Sequence, residues 1–84
     1  MKQVEIYSRP GCSYCQQAKE LLKARGIAYQ EQDISQDEAL IVEMVRRTGG
    51  RTLPQILISD RPIGGFSELR QLDSSQQLDT LLRH

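Results

Sequence analysis

Cys12 and Cys15 are the only cysteines of the chain, and they form one C-x-x-C. Residues three apart are neighbours one turn on along a helix, so two thiols at this spacing can meet as a redox dithiol. With Cys12 at a loop-to-helix junction, the unpaired amides and positive dipole end of the helix should lower its pKa and make it the thiolate nucleophile. Arg9 adds a nearby cation. Cys15, entering the first turn on the apolar face, should be more buried and act as the resolving thiol. Two other uses of the pair compete. A closed zinc site takes four Cys or His ligands, whereas the chain offers Cys12, Cys15 and the terminal His84, which is expected to be disordered. A purely structural disulfide across so short a loop gains little chain entropy.

The elements around the pair follow from residue pattern. Val4–Tyr7 reads as a short buried strand, broken by Ser8-Arg9-Pro10-Gly11. From Cys12 to Arg25 the set Cys15, Ala18, Leu21 and Leu22 recurs at helical spacing, and Gly26 sits where a left-handed cap is wanted. Residues 27–33 read as a second strand. Ser35 to Glu38 has the form of a capping box opening a second helix, whose inner face carries Leu40, Ile41, Met44, Val45 and Thr48 and which ends at Gly49-Gly50. Gln55–Ile58 is a continuous apolar strand, and Ser59-Asp60-Arg61 turns into Pro62-Ile63-Gly64. Pro62 places that last strand at a sheet edge. A short helix is expected around Ser67, Leu69 and Leu72. A second capping-box pattern, Ser74 to Gln77, leads into Leu78, Leu81 and Leu82. The order is βαβαββα plus a C-terminal helix, an α/β class with one central sheet covered on both faces.

Length and charge bound the function. Eighty-four residues make one domain, residues 1–84. Eleven Lys plus Arg balance eleven Asp plus Glu, so the broad basic footprint of a nucleic-acid binder is missing. Apolar runs fall far short of the roughly 20 residues that cross a bilayer, and the N-terminus lacks the apolar stretch of a secretory signal. Two cysteines are too few for the disulfide framework of small secreted domains. A cytoplasmic protein with neither membrane nor nucleic-acid partners is expected.

The segments Ile6-Tyr7-Ser8-Arg9-Pro10-Gly11-Cys12-Ser13-Tyr14-Cys15, Thr52-Leu53-Pro54-Gln55-Ile56 and Ile63-Gly64-Gly65-Phe66, in this order and spacing, resemble a glutaredoxin of the short bacterial dithiol type with a C-S-Y-C active site. The resemblance spans essentially the whole chain. It implies a thioredoxin fold with a four-stranded mixed β-sheet flanked by helices, and a cis bond at Pro54 that presents the backbone of Leu53 beside Cys12. It further implies a glutathione-dependent thiol-disulfide oxidoreductase acting on glutathionylated or disulfide-containing proteins through Cys12 and Cys15.

By the same resemblance, the glycyl carboxylate of glutathione would face Arg9, with Arg51 helping, and Thr52-Leu53 would pair with its main chain. Its γ-glutamyl carboxylate would rest on the amides of Phe66 and Ser67, where Gly64-Gly65 opens a helix N-terminus. Tyr14 would wall the thiol. Ser67 is read equally as a plain helix N-cap. Four positions depart from the family pattern: Ser13 replaces a common Pro, Arg9 stands where Lys is common, and Ser67 and Glu68 stand where two Asp are frequent. The chain is expected to be a monomer. The rival function is a dimer holding a [2Fe-2S] cluster through Cys12 of each protomer and two glutathiones, since loss of the Pro at position 13 resembles family members of that kind.

Overall fold

The computed structural model describes residues 2–83; the expectation for His84 lies outside them. The elements are β1 (Val4–Ser8), α1 (Ser13–Ala24), β2 (Gln30–Asp33), α2 (Glu38–Thr48), β3 (Gln55–Ile58), β4 (Arg61–Gly64), α3 (Phe66–Ser74) and α4 (Gln77–Arg83). They build a four-stranded sheet in the order β2-β1-β3-β4, with β1 parallel to β2 and the other pairs antiparallel. The mixed sheet and its flanking helices are those of the thioredoxin fold. No described helix is long and apolar enough to cross a membrane.

Period-two alternation along the strands divides the core. Val4, Ile6, Ile56 and Ile58 meet Ala18 and Leu22 of α1, Leu69 of α3, and Leu78 and Leu82 of α4 on one face. Tyr7 and Leu57 point to the other, where Met44 of α2 covers them. The parity of β1 therefore assigns the helices to faces. Ile41 and Val42 of α2 stay 38% and 66% exposed, so Ile41 is less of an inner residue than its helical spacing suggests.

Helix α1 ends in a Schellman motif. Gly26 at φ 69° donates its amide to the Lys23 carbonyl at 3.0 Å, and Ile27 donates to Leu22 at 2.9 Å. This corrects the second strand, which begins at Gln30 rather than Ile27, because Ile27 is occupied in closing the helix and packing into the core. The β3–β4 hairpin turns at Ser59 and Asp60, with φ 52° and 68°, the left-handed pair that a two-residue hairpin requires. Pro62 does lie on an edge strand.

Both expected capping boxes are absent. The Ser35 hydroxyl donates to Asp33 at 2.6 Å, and α2 is capped instead by Asp37, whose carboxylate accepts from the Ala39 amide at 2.9 Å. Ser74 closes α3 rather than opening α4; its hydroxyl donates back to the Gln71 carbonyl. The carboxylate that does cap a helix this way is Glu68, which accepts from the Gly65 amide at 2.7 Å at the start of α3. Gly65 is therefore the N-cap, and Ser67 sits at the second helical position.

A polar cluster ties α2 to the sheet. The buried Tyr7 hydroxyl donates to Glu43 and accepts from Arg47 at 2.8 Å, while the same guanidinium binds Glu5 and reaches Asp60 at 3.0 Å. Burial first, then the Glu43 contact, pushes the Tyr7 phenol above its ordinary value, and Glu5 and Tyr7 hold Arg47 firmly protonated. Arg47→Ala should cost about 1–3 kcal/mol of unfolding free energy by stranding Glu5, read from urea denaturation.

The Glu68 carboxyl lies below its ordinary pKa, chiefly through the Gly65 amide. A depressed folded-state pKa means that the contact stabilises fully above the ordinary glutamate value and fades as pH falls through the folded one. Glu68→Ala should therefore lose about 0.3–1 kcal/mol at neutral pH, as for an exposed carboxylate at a helix N-terminus. The gap to the parent should close in acid, which urea midpoints at the two pH values would measure.

Candidate functional site

The turn out of β1 delivers Cys12 to the N-cap of α1. Cys12 is extended, at φ −94° and ψ 110°, and its sulfur accepts from the Cys15 amide at 3.2 Å. One turn on, Cys15 faces the sheet at 1% exposure, whereas Cys12 is half-buried. The two sulfurs are bonded to each other, with the Cα atoms 5.2 Å apart. The asymmetry expected from spacing is present: one sulfur at the solvent-facing helix start, the other beneath it.

Supports outside the motif hold this turn. Ser8, the last residue of β1, is fully buried and donates its hydroxyl to Glu31 of β2 at 2.5 Å. Lys19 of α1 meets the same carboxylate at 2.8 Å. Lys19 foremost, and then Ser8, keeps the Glu31 carboxyl below its ordinary range. One charge thus links the strand that enters the loop, the helix that leaves it, and the neighbouring strand.

Beside the dithiol lies a groove of about 340 Å³. Its wall is assembled from three distant segments: Tyr14 between the cysteines, Thr52-Leu53-Pro54 before β3, and Gly65-Phe66-Ser67 at the start of α3. The Leu53–Pro54 bond is cis, as the resemblance implies. Tyr14 and Phe66 stack with ring centroids 6.2 Å apart. Arg9 and Arg51 are exposed and lie outside the groove lining, so the structure gathers seven of the nine expected ligand-side residues and does not bring these two into the groove.

The close approach of α3 to the cis-proline loop favours glycine. A Cβ on Gly65 would stand 3.2 Å from the Pro54 carbonyl oxygen, and one on Gly64 would meet Glu68 at 2.7 Å from a φ of 110°. Phe66 and Ser67 then occupy the first two positions of α3, where amides have no carbonyl four residues back.

Two contributors escaped residue-type reasoning. Gln55, nearly buried, donates its side-chain amide to the Thr52 carbonyl at 2.9 Å and braces the loop under the groove. Glu68 lines the groove while capping α3, and its second oxygen accepts from Ser67 at 3.1 Å. Only Glu68 left a trace in the sequence, an acidic residue three places after a glycine N-cap. Among the described residues no group of three or more His, Cys, Asp or Glu is gathered for a metal ion.

The comparisons agree with this geometry. The glutaredoxin family profile matches residues 4–63. The chain is 43% identical to glutaredoxin 3 of Escherichia coli strain K12 over 83 residues, covering 99% of this chain and all of that one. Among solved structures, it superposes on a buckwheat glutaredoxin–glutathione complex with a TM-score of 0.88 at 26% identity, covering 98% of this chain and 77% of that one. The solution structure of a Brucella melitensis glutaredoxin gives 0.84 at 44% identity, covering 98% and 89%. A bonded C-x-x-C at the start of α1, in a thioredoxin fold matched end to end by such relatives, makes this chain a member of the glutaredoxin family and a thiol-disulfide oxidoreductase.

Proposed function

We propose that the chain is a glutathione-dependent reductase of protein–glutathione mixed disulfides and of protein disulfides, working as a monomer in the cytoplasm. The observation that carries this reading is the groove beside the dithiol: it abuts the cis-proline loop on one side and the first two amides of α3 on another. A tripeptide with a thiol in its middle and a carboxylate at each end needs such a neighbourhood. The likeness to a relative solved as a glutathione complex supports it.

Cys12 is the nucleophile because the unpaired amides and the dipole of α1 stabilise a thiolate over a thiol at the N-cap. In the monothiol route this thiolate attacks the glutathione sulfur of a mixed disulfide. The Cys12–glutathione bond forms as the old S–S bond breaks, and the substrate protein leaves as a thiolate that takes a proton from water. A second glutathione thiolate then attacks the glutathione on Cys12, leaving as glutathione disulfide and returning the Cys12 thiolate. In the dithiol route Cys12 attacks one sulfur of a protein disulfide. Cys15 next gives up its proton and attacks Cys12, releasing the reduced protein and forming the Cys12–Cys15 bond. Two glutathiones reduce that bond and depart as glutathione disulfide.

In this reading Thr52 and Leu53 offer backbone to the tripeptide, Pro54 shapes that edge, and Tyr14 and Gly65 wall the thiol. The amides of Phe66 and Ser67 take the γ-glutamyl carboxylate, while Arg9, with Arg51, draws the glycyl carboxylate.

Paired assays test the division of labour. Cys12→Ser should abolish both activities. Cys15→Ser should keep reduction of a glutathione mixed disulfide and lose reduction of a protein disulfide. Retained turnover in Cys12→Ser would sink the mechanism, and joint collapse in Cys15→Ser would make Cys15 structural. Arg9→Ala should slow glutathionylation of a Cys15→Ser parent by glutathione disulfide about threefold to thirtyfold at low salt, between an exposed ion pair and a charge-assisted hydrogen bond. A rate equal to the parent's would make Arg9 a solvated charge.

A further inference from the structure

The aromatic wall of the groove continues outward. Tyr14, 62% exposed, stacks on Phe66, and the guanidinium carbon of Arg70, one turn along α3, stands 6.0 Å from the Phe66 ring centre. A guanidinium over an aromatic face is attracted to it and loses less freedom when it meets a further partner. Phe66 thus joins a ring that stands between the two cysteines in sequence to a positive charge.

Charge is unevenly committed across this neutral chain. Among the described residues Lys19, Arg25, Arg47 and Arg83 enter ion pairs; the other seven cations enter none, and the exposed Arg9, Arg51 and Arg70 are three of them. Each of those three flanks a segment of the site: the turn before Cys12, the cis-proline loop, and the start of α3. The acidic residue lining the groove, Glu68, already accepts from Gly65 and Ser67. Arg70 thus sets an uncommitted positive charge against an aromatic residue that lines the groove, which suits an anionic partner.

We propose that Arg70 is a specificity-determining residue for protein substrates: with Tyr14 and Phe66 it forms a ledge that favours a disulfide-bearing polypeptide carrying an acidic side chain beside its reactive cysteine. Arg70 touches neither sulfur and adds no chemical step; it selects which disulfide arrives at Cys12. This rests on Cys12–Cys15 as the reacting pair, and is independent of the glutathione anchors assigned to Arg9 and the α3 amides.

The test uses the full chain, turned over with saturating glutathione as reductant, and two disulfide peptides that differ only in Asp or Lys beside the cysteine, with a neutral small-molecule disulfide as reference. The parent should reduce the Asp peptide faster. Arg70→Ala should lower kcat/KM for it about twofold to fivefold at low salt, the range of an exposed ion pair, and leave the neutral disulfide unchanged. Arg70→Glu should reverse the preference, and high salt should compress it. An Asp-to-Lys ratio unchanged in both variants overturns the proposal, as does an equal loss on all three substrates, which would mark a structural role. A parent that reduces none of them overturns it together with the reading of the cysteine pair, and an inert parent is readily told from a lost preference.

Discussion

The register of α1 against the sheet is the constraint on which the site depends. A helix turns 100° per residue, so which sulfur faces solvent is decided by which residues face the core. Ala18 and Leu22 are fully buried against the sheet, and Cys15 lies one turn before them on the same stripe. Burial of that stripe leaves Cys12 outside the first turn, at the N-cap, with its sulfur on the Cys15 amide. The asymmetry between two chemically identical side chains is thus a packing result. The Ser8–Glu31–Lys19 link secures the same register from the other side of the turn.

Much of the fold was legible because it is local and periodic. The stripe of α1, the buried run of β3 and the proline of β4 each have a single good solution, and one central sheet follows from their order; that it is four-stranded and mixed was implied by the family resemblance. The misreadings fell where local signals compete. Ser35 and Ser74 satisfy a four-residue capping rule, but Asp33 captures the hydroxyl of Ser35, and Asp37 stands nearer to the start of α2. Around Ser74, Asp73 pairs bidentately with Arg25, the C-cap of α1, at 2.7 and 2.9 Å, which holds the last turn of α3 in place through the position where a new helix was expected to open. In both places a local acceptor took the hydroxyl, Asp33 that of Ser35 and the Gln71 carbonyl that of Ser74.

The candidate site divides the same way. The cysteine pair and its asymmetry could be read from spacing, since both residues lie on one helix. The groove could not: residues 14, 52–54 and 65–67 share no period, and only family resemblance brought them together before the coordinates did. Gln55 and Glu68 were missed for a further reason. Their work is done by hydrogen bonds to backbone atoms, and no residue type announces which backbone group it will meet.

The order of the sheet also bears on self-association. A sheet edge displays unpaired amides and carbonyls that can template another chain, a hazard for a small protein built on an open sheet. Here the two edge strands are β2, made of Gln30, Glu31, Gln32 and Asp33, and β4, which carries Arg61 and Pro62. The first presents two carboxylates and no apolar side chain, and the second lacks an amide proton at Pro62. The apolar strands β1 and β3 are enclosed between them. Neither border invites strand addition, so a visiting polypeptide can be handled at the helix end of the molecule without being drawn into growing sheet, and two copies of the chain have little means of aggregating edge to edge.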